Sequence, residues 1–113
     1  MVGMTALAQV VDINSLLVVE PGYRSGRPCL RGTGITVHNV AMHHMTGTTV
    51  EEMTASNPDL DPSLFHAALA YYFANRAKVE AEIEADVQWE ERERRKFPNG
   101  VTRENAHLLE LPD

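Results

Sequence analysis

The sequence predicts an α+β fold, mostly α. A short β pair comes first, then a three-helix core of helix-turn-helix form, then a long charged C-terminal helix. Three observations predict it. Two short apolar or β-branched runs, Leu16–Val19 and Ile35–Val37, flank a turn-rich stretch and suit strands. Helix stop and start signals then alternate between Gly47 and Pro62. Beyond residue 75, Val79, Ile83 and Val87 recur at i+4 with Ala77, Ala81 and Ala85 beside them, the stripe of an amphipathic helix.

In chain order, residues 1–12 read as a loosely held N-terminal arm, and 13–75 as the core domain. The first strand ends at the turn Glu20-Pro21-Gly22, and residues 22–34 are dense in glycine and arginine. From His38 a short helix is predicted, with Gly47 as the glycine that ends it. Thr49 and Glu52 form a capping box for a second helix, which Asn57-Pro58 stops. Asp61-Pro62, an acid followed by proline at the first helical position, starts the third. That helix is apolar nearly all round, which predicts packing on more than one side. Residues 76–96 form the charged helix, Pro98-Asn99-Gly100 ends it, and 97–113 is a tail carrying Leu108, Leu109 and Leu111.

The 113 residues carry a formal charge of −6, against strong non-specific binding to nucleic acid. The charges are uneven, however: acids cluster from Glu51 onward, while Arg24, Arg27 and Arg31 have no acid among them. A single cysteine, Cys29, excludes an intramolecular disulfide. The N-terminus lacks the basic and apolar segments of a signal peptide, and no run approaches the roughly 18 apolar residues of a membrane span, so a cytoplasmic protein is expected.

Arg24, Arg27 and Arg31 are the candidate anion or nucleic-acid contacts. Guanidinium forks suit phosphate or carboxylate, and amides around glycines can form anion-binding nests. A purely structural turn is the competing reading, and no phosphate-binding loop motif is met. The second and third helices have helix-turn-helix form, but the residues that would reach base edges, Asp59 to Leu64, include two acids and no base. DNA contact is therefore expected to be weak and to run through the arginines. His38, His43 and His44 lack metal-ligand spacing, so neither metal nor cofactor is expected. The carboxylate pairs Glu51/Glu52 and Glu90/Glu91 lie in segments predicted to face water, and Ser25, Ser56 and Ser63 have no nucleophile elbow. The chain reads as a binding module, not an enzyme. Trp89, isolated in a charged segment, suits an interface anchor.

The segment Gly26-Arg-Pro-Cys-Leu-Arg-Gly-Thr-Gly-Ile-Thr-Val37 resembles the signature of a bacterial and archaeal family, domain of unknown function 433. Gly47, Glu52, Pro58, Leu60 and Ala68-Leu-Ala-Tyr71 follow in the family's order, so the likeness spans residues 13–75. One departure stands out: Gly34 occupies a position where the family pattern usually has arginine. The resemblance implies a small homeodomain-like protein of antitoxin type, encoded beside a PIN-like ribonuclease toxin and able to repress its own operon. On that implication the toxin surface is expected in 88–113, from Trp89, Arg92, Arg94, Arg95 and Lys96 to Leu108, Leu109 and Leu111. A homodimer is expected from the small size and the short strand's edge. The alternatives are a DNA-binding regulator acting alone and a dimeric structural protein.

Overall fold

A computed structural model describes residues 10–100 of the chain. They are mostly helical, with one two-stranded antiparallel sheet. The chain divides into two compact units, Met1–Phe73 and Ala74–Asp113.

In the first unit a single 3₁₀ turn, Ile13–Leu16, leads into strand β1, Leu17–Val18. Asp12 caps that turn, its carboxylate accepting from the Asn14 N–H at 3.0 Å. Strand β2 is Cys29–Leu30, with Leu17 opposite Leu30 and Val18 opposite Cys29. The Arg31 N–H donates to the Leu16 carbonyl at 2.9 Å and extends the ladder. The β pair is present, but its second member is not the predicted Ile35–Val37. Thr36 makes only an isolated bridge to Cys29, and Val37 is already the first residue of a helix. The reason is a capping box. The Thr36 hydroxyl accepts from the Asn39 N–H at 3.1 Å, and the Asn39 side-chain oxygen accepts from the Thr36 N–H at 3.2 Å. Two helical donors satisfied in this way outweigh the strand preference of three β-branched residues.

Helix α1, Val37–Met45, ends as expected at Gly47. Gly47 has φ +92°, its N–H donates to the His44 carbonyl, and the Thr48 N–H reaches the His43 carbonyl. This pair of bonds is the Schellman arrangement, which only a left-handed residue closes cheaply. Helix α2, Val50–Ser56, carries the predicted Thr49/Glu52 box. Helix α3, Pro62–Ala74, starts at Asp61, whose carboxylate accepts from the Ser63 N–H at 2.9 Å. A hydrogen bond from the Ser63 side chain, with this backbone bond behind it, holds the Asp61 carboxyl below its ordinary range.

The core of this unit is Leu30, Val37, Val40 and Ala41 with Phe65, Ala68 and Tyr72, all essentially inaccessible to solvent. Phe65, Ala68 and Tyr72 stand at i, i+3 and i+7, so α3 presents one inward stripe. Its opposite side is open: Ala70 is exposed, and Phe73 is 51% exposed although its ring touches those of Tyr72 and His44. The expectation of a helix buried on more than one side is thus met along only part of its length.

In the second unit helix α4, Arg76–Lys96, runs 21 residues and matches the predicted span. Val79 and Ile83 are buried, and Val87 is exposed. Arg76–Glu80 at 3.0 Å and Lys78–Glu82 at 3.8 Å form i,i+4 ion pairs on its surface. Such exposed pairs contribute only about 0.3–0.5 kcal/mol each. Among the described residues, no helix is long and apolar enough to cross a membrane.

Candidate functional site

The first unit holds a cleft of about 590 Å³ lined by Val18, Glu20, Tyr23, Cys29 and the loop from Leu30 to Gly34. Local backbone chemistry builds its rim. After the Pro21-Gly22 turn, Arg24 and Ser25 both adopt left-handed backbone, φ +51° and +56°. For residues bearing a Cβ this costs roughly 1–2 kcal/mol each, and such strain persists only where surrounding contacts hold it.

The strained turn sets down the Arg24 side chain. Its guanidinium carbon lies 5.6 Å from the centre of the Tyr23 ring, in cation–π contact. A Cβ placed on Gly34 would lie 2.9 Å from Arg24 Nη2 and 3.1 Å from the Tyr23 hydroxyl. Arg24 therefore occupies the space that a side chain at position 34 would need. Arg31, also exposed, lines the same cleft, and its Nη1 donates to the Ser15 hydroxyl at 3.1 Å.

The three predicted arginines thus do not act as one set. Arg31 lines the cleft and Arg24 lies against two of its lining residues, Tyr23 and Gly34, whereas Arg27 is half-buried, does not line it, and has an interaction of its own. Tyr23 and Gly34 were not among the predicted site residues. Gly34 was visible as a departure from the family pattern, but nothing in the sequence said which side chain would fill the vacancy.

Cys29 lines the cleft floor but is buried, its Sγ donating to the Arg27 carbonyl at 3.6 Å. Burial pushes its thiol above the ordinary range. The Arg24 charge pulls the other way, and Glu20 adds to the rise. The thiolate is the reactive form, so alkylation of the native protein by iodoacetamide near neutral pH should be at least about tenfold slower than in denaturant. Equal rates would show that Cys29 is accessible and ordinary. A raised native pKa also means that this group's stability contribution is present at neutral pH. It is lost as pH rises through the native value, so the fold should weaken in alkaline solution.

At the end of α4, Trp89, Arg92 and Lys96 stand at i, i+3 and i+7, with Arg95 beside them. Arg94 pairs with Glu91 at 3.8 Å and Lys96 with Glu93 at 3.5 Å. Arg92 and Arg95 are exposed and make no ion pair among the described residues. Trp89 is half-buried and engaged in an interaction. The basic last turn complements the partial negative charge of the helix end. Leu108, Leu109 and Leu111 lie outside the described residues.

At the start of α3, Asp59 and Asp61 are exposed, which leaves that end of the helix acidic. His38 is buried in α1, while His43 and His44 are exposed, so the three histidines do not converge. Among the described residues no group of three or more histidine, cysteine or acidic side chains is placed to hold a metal ion.

Comparison with known proteins places these features in a family. No curated protein matches the chain. A crystal structure of a DUF433 member protein from Anabaena variabilis is similar, with 26% identity and a TM-score of 0.58, covering 64% of this chain and 71% of that one. The profile of the family described as protein of unknown function, DUF433, matches residues 17–72, from β1 to the buried Tyr72 of α3. The sheet, the cleft and the first three helices all fall within that match, and the chain belongs to the DUF433 family.

Proposed function

We propose that this chain is a binding module of antitoxin type that neutralises a PIN-like ribonuclease toxin, acting as a homodimer. The observation that carries the reading is the end of α4, where Arg92 and Arg95 project from a 21-residue helix without acidic partners among the described residues. A PIN-like active site gathers carboxylates around a divalent metal. Cations on a rigid helix next to Trp89 can enter such a site and compensate its charge. For the dimer, the support is exposed apolar surface at Val10, Val11, Ile13 and Val19 around a two-stranded sheet whose strands are both edges. The acidic start of α3 disfavours its use as a base-reading helix, so any operator binding would be secondary.

Co-expression with a PIN-like toxin encoded beside this gene tests the proposal through growth. The full chain should restore growth. Arg92→Glu with Arg95→Glu, or deletion of 98–113, which spares the buried Phe97, should weaken rescue while leaving helical content and the dimer mass by light scattering unchanged. Undiminished rescue by both variants would place the toxin surface elsewhere.

A further inference from the structure

We propose that the cleft beside β1 and β2 is a recognition site for a single carboxylate side chain, carried on a partly apolar segment of a partner protein and gripped by Arg24 with Arg31. The Arg24 guanidinium is fixed on two sides, over the Tyr23 ring and against Gly34. The left-handed turn that delivers it makes that position a built feature of the loop. Yet among the described residues its guanidinium makes no hydrogen bond or ion pair. A planar fork held in place with its donors unspent is preorganised for a planar carboxylate, which it meets through two parallel bonds.

The cleft's other residues narrow the ligand. Gly32 and Gly34 line it, and their amides donate to no acceptor among the described residues, so backbone donors stand near the guanidinium. The Thr33 hydroxyl is committed, donating to the Leu30 carbonyl at 2.9 Å and accepting from the Ile35 N–H at 3.0 Å. Glu20 also lines the cleft. A nucleic-acid backbone would bring further phosphates against that carboxylate, whereas one acidic side chain brings a single charge that Arg24 satisfies. Val18 in the wall and exposed Val19 on the same strand offer apolar surface to the ligand's neighbours. The ligand class is therefore an acidic residue flanked by apolar ones. The site lies in a different unit from the α4 cations and stands whether or not the partner is a toxin.

The full chain, labelled with ¹⁵N, is titrated with a capped peptide carrying one glutamate between two valines. The glutamine counterpart, inorganic phosphate and a short single-stranded oligonucleotide serve as comparisons. The Gly32 and Gly34 amides and the Arg24 Nε–H should shift saturably with the glutamate peptide. The glutamine peptide should bind at least about tenfold more weakly. Arg24→Lys, which keeps the charge but loses the fork, should weaken binding about tenfold with the melting temperature unchanged. Gly34→Leu should do the same with Arg24 intact, because the guanidinium is displaced. Equal binding of the glutamine peptide, or wild-type affinity in both variants, would overturn the proposal. Tighter, Arg24-dependent binding of phosphate or the oligonucleotide would also overturn it, by reassigning the cleft to phosphate.

Discussion

Truncating Phe65 to alanine is expected to remove about 3–5 kcal/mol of stability, the range for deleting a buried aromatic ring. A domain of this size holds only about 5–15 kcal/mol in total, so the variant should unfold near or below growth temperature. Phe65 is 2% exposed, and it shares its stripe of α3 with Ala68 and Tyr72. A small residue such as Ala68 beside the ring leaves little that could collapse into the cavity. Urea denaturation followed by circular dichroism measures the effect, with the exposed neighbour His66→Ala as a control expected to stay within about 0.5 kcal/mol. A Phe65→Ala loss no larger than that of the control would mean that the ring is not in the core.

The second large effect has the opposite sign. Glu93 is 8% exposed, its Oε2 has no hydrogen-bond partner among the described residues, and its Oε1 lies 3.5 Å from Lys96 Nζ. A buried acceptor left unsatisfied costs about 1–3 kcal/mol, and an apolar group of similar shape removes that cost. Glu93→Met should therefore stabilise the chain by about 1–2 kcal/mol, read as a rise in melting temperature. The expected size is held down because Lys96 is 37% exposed in its side chain, and a pair so near solvent gives back little. If the methionine variant melts lower than the parent, the Lys96 pair outweighs the desolvation, and Glu93 is there for stability.

Much of the fold was legible wherever local chemistry decides it. Thr49 and Glu52, Asp61 and Pro62, and Gly47 each announce a helix end through bonds made within a few residues, and each sits where its chemistry required. The span of α4 followed from the i+4 repetition of Val79, Ile83 and Val87 together with the stop at Pro98-Asn99-Gly100. The second strand was not legible in this way. Ile35-Thr36-Val37 has strand-forming side chains, but the Asn39 amide completes a cap with Thr36, and asparagine at that place is a weaker textual signal than glutamate. Cys29 and Leu30 pair with β1 from inside a glycine- and arginine-rich stretch that resembles pure loop. The site was legible only as composition. Three arginines near several glycines suggested an anion, but which guanidinium reaches the cleft depends on the backbone sign at Arg24 and Ser25 and on the vacancy at Gly34. Neither is a local property of the residues concerned.

The shared volume of positions 24 and 34 ties their histories together. The family resemblance implies an arginine at position 34; here it is glycine, and Arg24 lies in the space beside it. A long side chain at 34 while Arg24 remains pushes the flexible end of Arg24 out of its place against Gly34. Shortening Arg24 while Gly34 remains leaves the pocket rim without this guanidinium. Each change alone costs the rim its placed guanidinium, and both together exchange one donor for another. The fitness of a residue at either position is then set by its counterpart ten positions away. In an alignment of relatives the two columns should co-vary, a long cation at 34 going with a shorter residue at 24, so that the guanidinium persists while its address in the chain migrates.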